Sequence, residues 1–260
     1  MSPEAQALAM LVAAGAAGGL VTAVVGGSSL ITFPVLLATG LPPVIANASN
    51  QVALTPGSLF AVLADRQRMP PWDRSLLGLA ATAMAGTVAG AALLLVTPDK
   101  AFTTLVPVLI GAATLLFAAA ERIRRWSLRR TGPAASGAEW PRGATLLVFF
   151  PVTMYGGYFG AGMSVMLLAI LSAGFFDDPR TANVVKNFLS GLVSIVASIV
   201  FIVQGAIAWG PTVGMMVGAM AGGFAGGRLA RALPPALMRA VVIAVGAALT
   251  VAYARRYWWA

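Results

Sequence analysis

Apolar stretches follow one another through this chain from end to end, at about 5 to 25, 28 to 40, 44 to 64, 75 to 96 and 101 to 120, then at about 143 to 160, 163 to 174, 181 to 204, 210 to 227 and 236 to 254. Crossing a bilayer core of about 30 Å takes about 20 residues of helix, so the pattern predicts an all-α polytopic membrane protein. Composition agrees with this reading. Of 260 residues, 59% are hydrophobic and only 10% charged, against about 25% charged in soluble domains, and mean hydropathy is +0.87. No stretch between the segments is left to fold as a separate soluble domain.

The opening MSPEAQALAM holds an acid and no Lys or Arg. It lacks the basic region of a secretory signal, so the first helix is expected to stay in the mature protein. Cys and His are absent, which removes thiol chemistry, disulfides and the usual zinc, haem and iron–sulfur ligands. No cofactor or metal is expected, and any chemistry must come from Lys, Arg, acids, hydroxyls, amides and backbone. The net charge of +9 and pI near 11.3 point to membrane lipid rather than nucleic acid. The basic residues cluster in loops between apolar segments, where they act as topology signals facing anionic lipid.

The two series of segments read as copies of one unit. Ala83-Met84-Ala85-Gly86 and Ala89-Gly90 recur as Ala219-Met220-Ala221-Gly222 and Ala225-Gly226, and Ala46-Asn47 recurs as Ala182-Asn183. The displacements 219 − 83 and 182 − 46 are both 136, and Pro98 and Pro234 keep that spacing. Residues 1–120 therefore form a first transmembrane repeat, 121–142 a basic cytoplasmic linker, and 143–260 a second repeat. Loop charges set their orientations. Residues 65 to 74 hold Arg66, Arg68 and Arg74, whereas the equivalent 204 to 210 is uncharged; the loop at 97 to 100 holds one acid and one lysine, whereas its equivalent carries Arg228, Arg231 and Arg239. By the positive-inside rule these loops exchange sides, the mark of two inverted-topology repeats with odd numbers of crossings. Both termini then fall on the outer face of a bacterial inner membrane, although Arg255 and Arg256 would lie outside with the C-terminus. The segments at 28 to 40 and 163 to 174 are too short to span. Each is expected to pair with the segment before it as a broken hairpin.

Each short segment opens at a glycine turn, VVGGSSLITFP (24 to 34) or YGGYFGAGMSV (155 to 165). A helix starting inside a membrane exposes unpaired N–H groups and the positive end of its dipole, which bind anions; this singles out Gly27, Ser28 and Gly162. Glycines that merely allow close helix packing are the plainer explanation. Amides follow in the next segment of each half: Asn47, Asn50 and Gln51 in ANASNQ, and Asn183, Lys186 and Asn187 in ANVVKN. Residues three and four apart share a helix face, so two related polar faces are expected to approach across a pseudo-twofold axis. Lys186 lies six residues past Arg180 and could snorkel to the interface, but its company of amides on an intramembrane helix suits an oxyanion ligand. All eight acids (Glu4, Asp65, Asp73, Asp99, Glu121, Glu139, Asp177 and Asp178) fall in loops or segment ends. No side-chain proton relay crosses the membrane, and acid–base or thiol catalysis lacks its parts.

GGSSLITFPVLLATGLPPVIANASNQVALTPG (26 to 57) and the stretch from GGYFGAGMSV to FIVQGAIAW (156 to 209) resemble the sulfite exporter TauE/SafE family. The resemblance runs through the AMAG..AG repeats and omits mainly the linker. It implies a transporter of sulfur-containing anions such as sulfite or an organosulfonate, usually outward. The first glycine cluster reads GGSS where the family commonly has a longer glycine run. The expectation is thus a secondary transporter or facilitator of a small oxyanion working by alternating access, not an enzyme, with a homo-oligomer possible. A non-conducting membrane scaffold is the competing class, and it would call for a docking domain or long tail.

Overall fold

Prolines and capping acids start half of the helices. The computed structural model of the chain describes residues 3–24, 27–65, 67, 69–130, 142–176, 178–229 and 235–259. Through these run α1 (Pro3–Val24), α2 (Ser29–Ala38), α3 (Pro43–Asp65), α4 (Arg74–Val96), α5 (Asp99–Arg130), α6 (Arg142–Tyr158), α7 (Met163–Gly174), α8 (Pro179–Val203), α9 (Trp209–Leu229) and α10 (Pro235–Trp258). Proline opens α1, α3, α8 and α10, where its missing N–H would have had no helical partner. Asp73 Oδ1 accepts from Leu76 N at 2.7 Å, and Asp178 accepts from Arg180 N and Thr181 N at 3.2 and 3.0 Å, satisfying the orphan donors of α4 and α8. No strand occurs among the described residues, so the protein is all-α as expected.

Among the described residues, five helices are long and apolar enough to cross a membrane, within α1, α4, α5, α8 and α10. The helices α2 and α7, of 10 and 12 residues, reach only about 15 and 18 Å. Each folds back on its predecessor: Gly18 of α1 faces Thr32 and Ser28, and Gly156 of α6 faces Met163. One boundary differs from the sequence expectation. Helix α5 continues to Arg130, through the first half of the expected linker, because no glycine or proline intervenes before Gly132 and Glu121 pairs with Arg125 one turn on at 3.1 Å. The rest of the linker, residues 131–141, lies outside the described residues.

The packing partners of the first five helices recur among the second five. Helix α1 packs on α9 and α6 on α4; α3 packs on α9 and α8 on α4; α5 packs on α7 and α10 on α2; and α3 meets α8 as α5 meets α10. Small residues bring the first two pairs together, backbone against backbone. Gly15 and Gly19 of α1 face Met215 and Ala219, while Gly218 and Gly222 of α9 face Val12 and Ala16, so α1 and α9 run parallel; Gly86 and Gly90 place α4 parallel to α6 in the same way. The central pair is antiparallel. Thr55 Oγ1 lies 2.8 Å from Ser198 Oγ, Ser194 Oγ donates to Ser58 Oγ at 3.2 Å, and Gly191 faces Val62. Ser58 and Ser194 stand 194 − 58 = 136 residues apart, the spacing of the sequence repeat, and they touch each other. Helices α5 and α10 cross antiparallel as well, Gly111 facing Thr250 and Gly246 facing Thr114.

The loops gather at two ends. At one, Val44 N donates to Asp99 Oδ1 at 3.2 Å, Ala208 N to Ser49 Oγ at 3.0 Å, and Trp258 Nε1 to Thr104 O at 3.1 Å. At the other, Arg239 pairs with Glu121 at 3.6 Å and the Trp72 ring meets Phe188 edge-on at 5.4 Å. Between them the core centres on α2, where Phe33 is fully buried with its ring 5.5 Å from Phe159 and 6.4 Å from Phe102.

Candidate functional site

Helix α6 ends at Tyr158 in the interior, and the turn that follows has to re-aim the chain within four residues. The carbonyl of Tyr155 accepts from Phe159 N and Gly160 N at 2.8 and 3.1 Å, and the Tyr155 hydroxyl donates to Ala161 O at 2.7 Å. Helix α7 then begins at Gly162, whose φ of +82° is open to glycine and strained for other residues. In the first half, Gly27 at φ +87° opens α2. Both turns rest on the same stretch of α5: Gly27 faces the Phe117 ring, and Gly162 faces Ala113 and Leu116. Two part-length helices thus start against one turn of α5, each with the positive end of its dipole at its glycine. Ser28 is nearly buried and makes no side-chain cap.

The polar face of α3 closes on this region. Asn47 is fully buried and its Nδ2 donates to Tyr158 O at 2.8 Å, while Gln51 Nε2 donates to Gly157 O at 3.2 Å. These amides satisfy the last carbonyls of α6, groups that a helix ending inside a membrane would otherwise leave bare. Asn47 Oδ1 finds no donor. Thr32, fully buried on α2, places Oγ1 3.1 Å from Ser28 O and 2.6 Å from Asn50 Oδ1, and Asn50 Nδ2 has no partner. A hydroxyl carries one proton, and Ser28 O can only accept. Both contacts hold together only when the Asn50 amide is turned over, with its NH2 donating to Thr32 and its carbonyl oxygen in the partnerless place. A buried acceptor without a donor costs about 1–3 kcal/mol, and α3 then holds two, one turn apart.

The second polar face lies elsewhere. Lys186 Nζ donates to Asn183 Oδ1 at 3.0 Å, and Lys186, Asn183 and Asn187 are all half-buried on α8. The expectation that the two faces approach each other across the axis is corrected by the antiparallel crossing at Ser58 and Ser194. Asn50 precedes Ser58 by 58 − 50 = 8 residues and Lys186 precedes Ser194 by 194 − 186 = 8, so each lies about 12 Å from the crossing and the clusters are about 24 Å apart along the pair. A small ion cannot touch both at once. What the structure does bring together is the amide face of the first half with the glycine turn of the second.

Several of the residues that shape this region were passed over in the sequence: Thr32, Tyr155, and the hydroxyl pairs Ser58–Ser194, Thr55–Ser198 and Ser164–Ser190, the last 3.3 Å apart between α7 and α8. Threonine, serine and tyrosine are ordinary in membrane helices, where the first two bond to the preceding turn, and only the serines at the repeat spacing carried a signal. The open groove between α1 and α9, lined by Leu8, Val12, Trp209 and Val213, is apolar and includes none of the residues of either polar cluster.

A helical bundle with spanning helices and two part-length helices that start in its interior defines a multi-pass membrane protein. Comparison with known proteins gives the family. The model of the sulfite exporter TauE/SafE family matches residues 11–253, and the chain belongs to that family. Over 211 residues it is 30% identical to a "Probable membrane transporter protein" of Haemophilus influenzae, covering 78% of this chain and 76% of the relative. It is 28% identical to "Probable membrane transporter protein ORF9" of a Sinorhizobium species, covering 78% and 75%, and 25% identical to "Probable membrane transporter protein YfcA" of Escherichia coli, covering 74% and 68%. No solved structure matches the chain. The protein is a membrane transporter with a small-molecule substrate.

Proposed function

We propose that this transporter carries a small oxyanion, sulfite or an organosulfonate, out of the cell across a bacterial inner membrane, by alternating access between two inverted halves. The observation that carries the reading is the convergence of Gly27 and Gly162 on one turn of α5, which sets two helix N-termini at one interior level. Anions bind there through backbone N–H groups and the dipole. Lys186, with Asn183 and Asn187, attracts the anion from its own end of α8. Asn47, Asn50 and Gln51 shape the same interior turn from the far side, with their amide donors engaged on α6 and α2. An inside-negative potential drives a monoanion outward with about 2.3 kcal/mol per 100 mV, so export needs no proton relay.

The inverted arrangement has three supports. Repeat-equivalent helices α3 and α8 run antiparallel, as do α5 and α10. Segments 97 to 104 and 204 to 210 share one end of the molecule, and Glu121 and Arg239, from the two basic regions, share the other. Those groupings match the sides assigned from loop charge. Flux of labelled sulfite, sulfonates, sulfate and carboxylates in liposomes under an imposed potential tests the function. Movement of a sulfur oxyanion that reverses with the sign of the potential supports it, and flux of none of them overturns it in favour of a non-conducting scaffold.

A further inference from the structure

We infer that the broken end of α6 and the amide face of α3 form a binding site for an alkali-metal cation. The buried Asn47 spends its NH2 on Tyr158 O, and Gln51 spends its NH2 on Gly157 O. Thr32 turns the NH2 of Asn50 toward α2. All three amides therefore direct their donors to named carbonyl or hydroxyl oxygens, which leaves their carbonyl oxygens to face whatever else is present. Asn47 Oδ1 is fully buried with no donor in the protein, the Asn50 carbonyl takes the second partnerless position one turn on, and Gln51 lies against the Gly160 turn. The same place holds the C-terminal end of α6, the negative end of its dipole. Amide oxygens gathered at an interrupted helix's C-terminus are the chemistry that holds a monovalent cation in a transporter core. Calcium and magnesium sites draw on carboxylates, and every acid of this chain lies outside the apolar segments, so a singly charged ion fits this neutral oxygen set. Bound there, the cation would tie the turn after α6 to α3 and so fix where α7 begins.

The site does not depend on which anion is carried, and it is tested on the purified full-length protein without any anion substrate. Thermal unfolding is followed in detergent at constant ionic strength while choline is replaced by lithium, sodium or potassium as the chloride. The expected result is a saturable rise in midpoint with sodium or potassium, the arms showing which. Asn47→Leu, which deletes the orphan oxygen, should raise the half-effect concentration at least tenfold. Asn50→Asp, which adds negative charge and keeps an oxygen in the partnerless place, should lower it by about as much, and Ser58→Ala at the helix crossing should leave it unchanged. Should Asn47→Leu fail to fold, Gln51→Met and Asn50→Asp decide the matter. Equal midpoints in all four salts, or an unchanged response in both Gln51→Met and Asn50→Asp, overturns the proposal and leaves the amide oxygens to water.

Discussion

At the scale of single residues, Lys186 is where the transport proposal is most exposed to test. Its ammonium is half-buried and held by Asn183 Oδ1 at 3.0 Å, which keeps the charge on one face of α8 rather than free to wander. A charge-assisted hydrogen bond contributes about 1.5–3 kcal/mol, and 1.4 kcal/mol is tenfold in affinity. Lys186→Gln should therefore weaken capture of the anion at this end of α8 about tenfold to a hundredfold, and Lys186→Arg should keep much of it, with affinities compared at matched membrane expression. An unchanged affinity in Lys186→Gln would mean that the lysine only snorkels. The residue types at this site were legible in the sequence, because an ammonium and amides stand out in an apolar run. Their meeting places were not. Which amides reach which carbonyls follows from the antiparallel crossing of α3 and α8, and that register is set by small residues and hydroxyls spread over both helices, not by any residue of the polar motif itself.

Among elements, the glycine motifs and the caps each make a separate prediction. A side chain at Gly90 would run into Met154 O, and one at Gly222 into Ala16 O, whereas nothing lies within 4 Å of a methyl group at Gly78. Overpacking costs about 1–3 kcal/mol and sometimes more, so Gly90→Val and Gly222→Val should each lower the unfolding midpoint sharply. Gly78→Ala should raise it slightly, since glycine in a helix interior is about 0.5–1 kcal/mol worse than alanine; if all three behave alike, the close approach of α4 to α6 and of α1 to α9 is refuted. The AMAG..AG repeats marked two copies of one unit in the sequence, but not that each copy would pair with the first helix of the other half. At the start of α8, the Thr181 hydroxyl and the N–H groups of Arg180 and Thr181 hold the Asp178 carboxyl below the usual carboxylate range. A folded-state value below the unfolded one, about 3.9, stabilises the helix start above that pH and loses the effect as pH falls through the folded value. Amide protection in the first turn of α8, measured against the intrinsic exchange rate at each pH, should accordingly fall in acid. In Asp178→Asn, which keeps an acceptor but no charge, that acid dependence should vanish; its persistence would assign the effect to another group.

For the molecule as a whole, the 136-residue offset and the exchange of arginine-rich loops predict two halves of inverted orientation, and the absence of cysteine makes both sidedness and symmetry testable with single introduced thiols. An impermeant reagent should label Gly205→Cys in intact cells and leave Ser127→Cys unmodified; the reverse would overturn the topology. The position of the axis was the part hardest to see from sequence, since only one matched pair of serines marks it. Ser58 and Ser194 stand at the 136-residue spacing with hydroxyl oxygens 3.2 Å apart, and in the proposed inverted arrangement two equivalent groups can meet only on the axis that relates them. The hydroxyl contact brings the two side chains together at the crossing, and a disulfide there would draw their Cβ atoms to about 3.5–4.5 Å. Ser58→Cys with Ser194→Cys should therefore oxidise within one molecule, read as the loss of both thiols to a maleimide and their return with reductant, whereas either single variant should keep its thiol. Alternating access requires the halves to move against each other, and the bond would pin α3 to α8 where they cross. Anion flux should fall on oxidation and recover on reduction. Failure of the thiols to pair would displace the axis from this crossing, and full flux from the oxidised protein would show that the halves do not shift at α3 and α8, which would leave the two glycine turns as the moving parts.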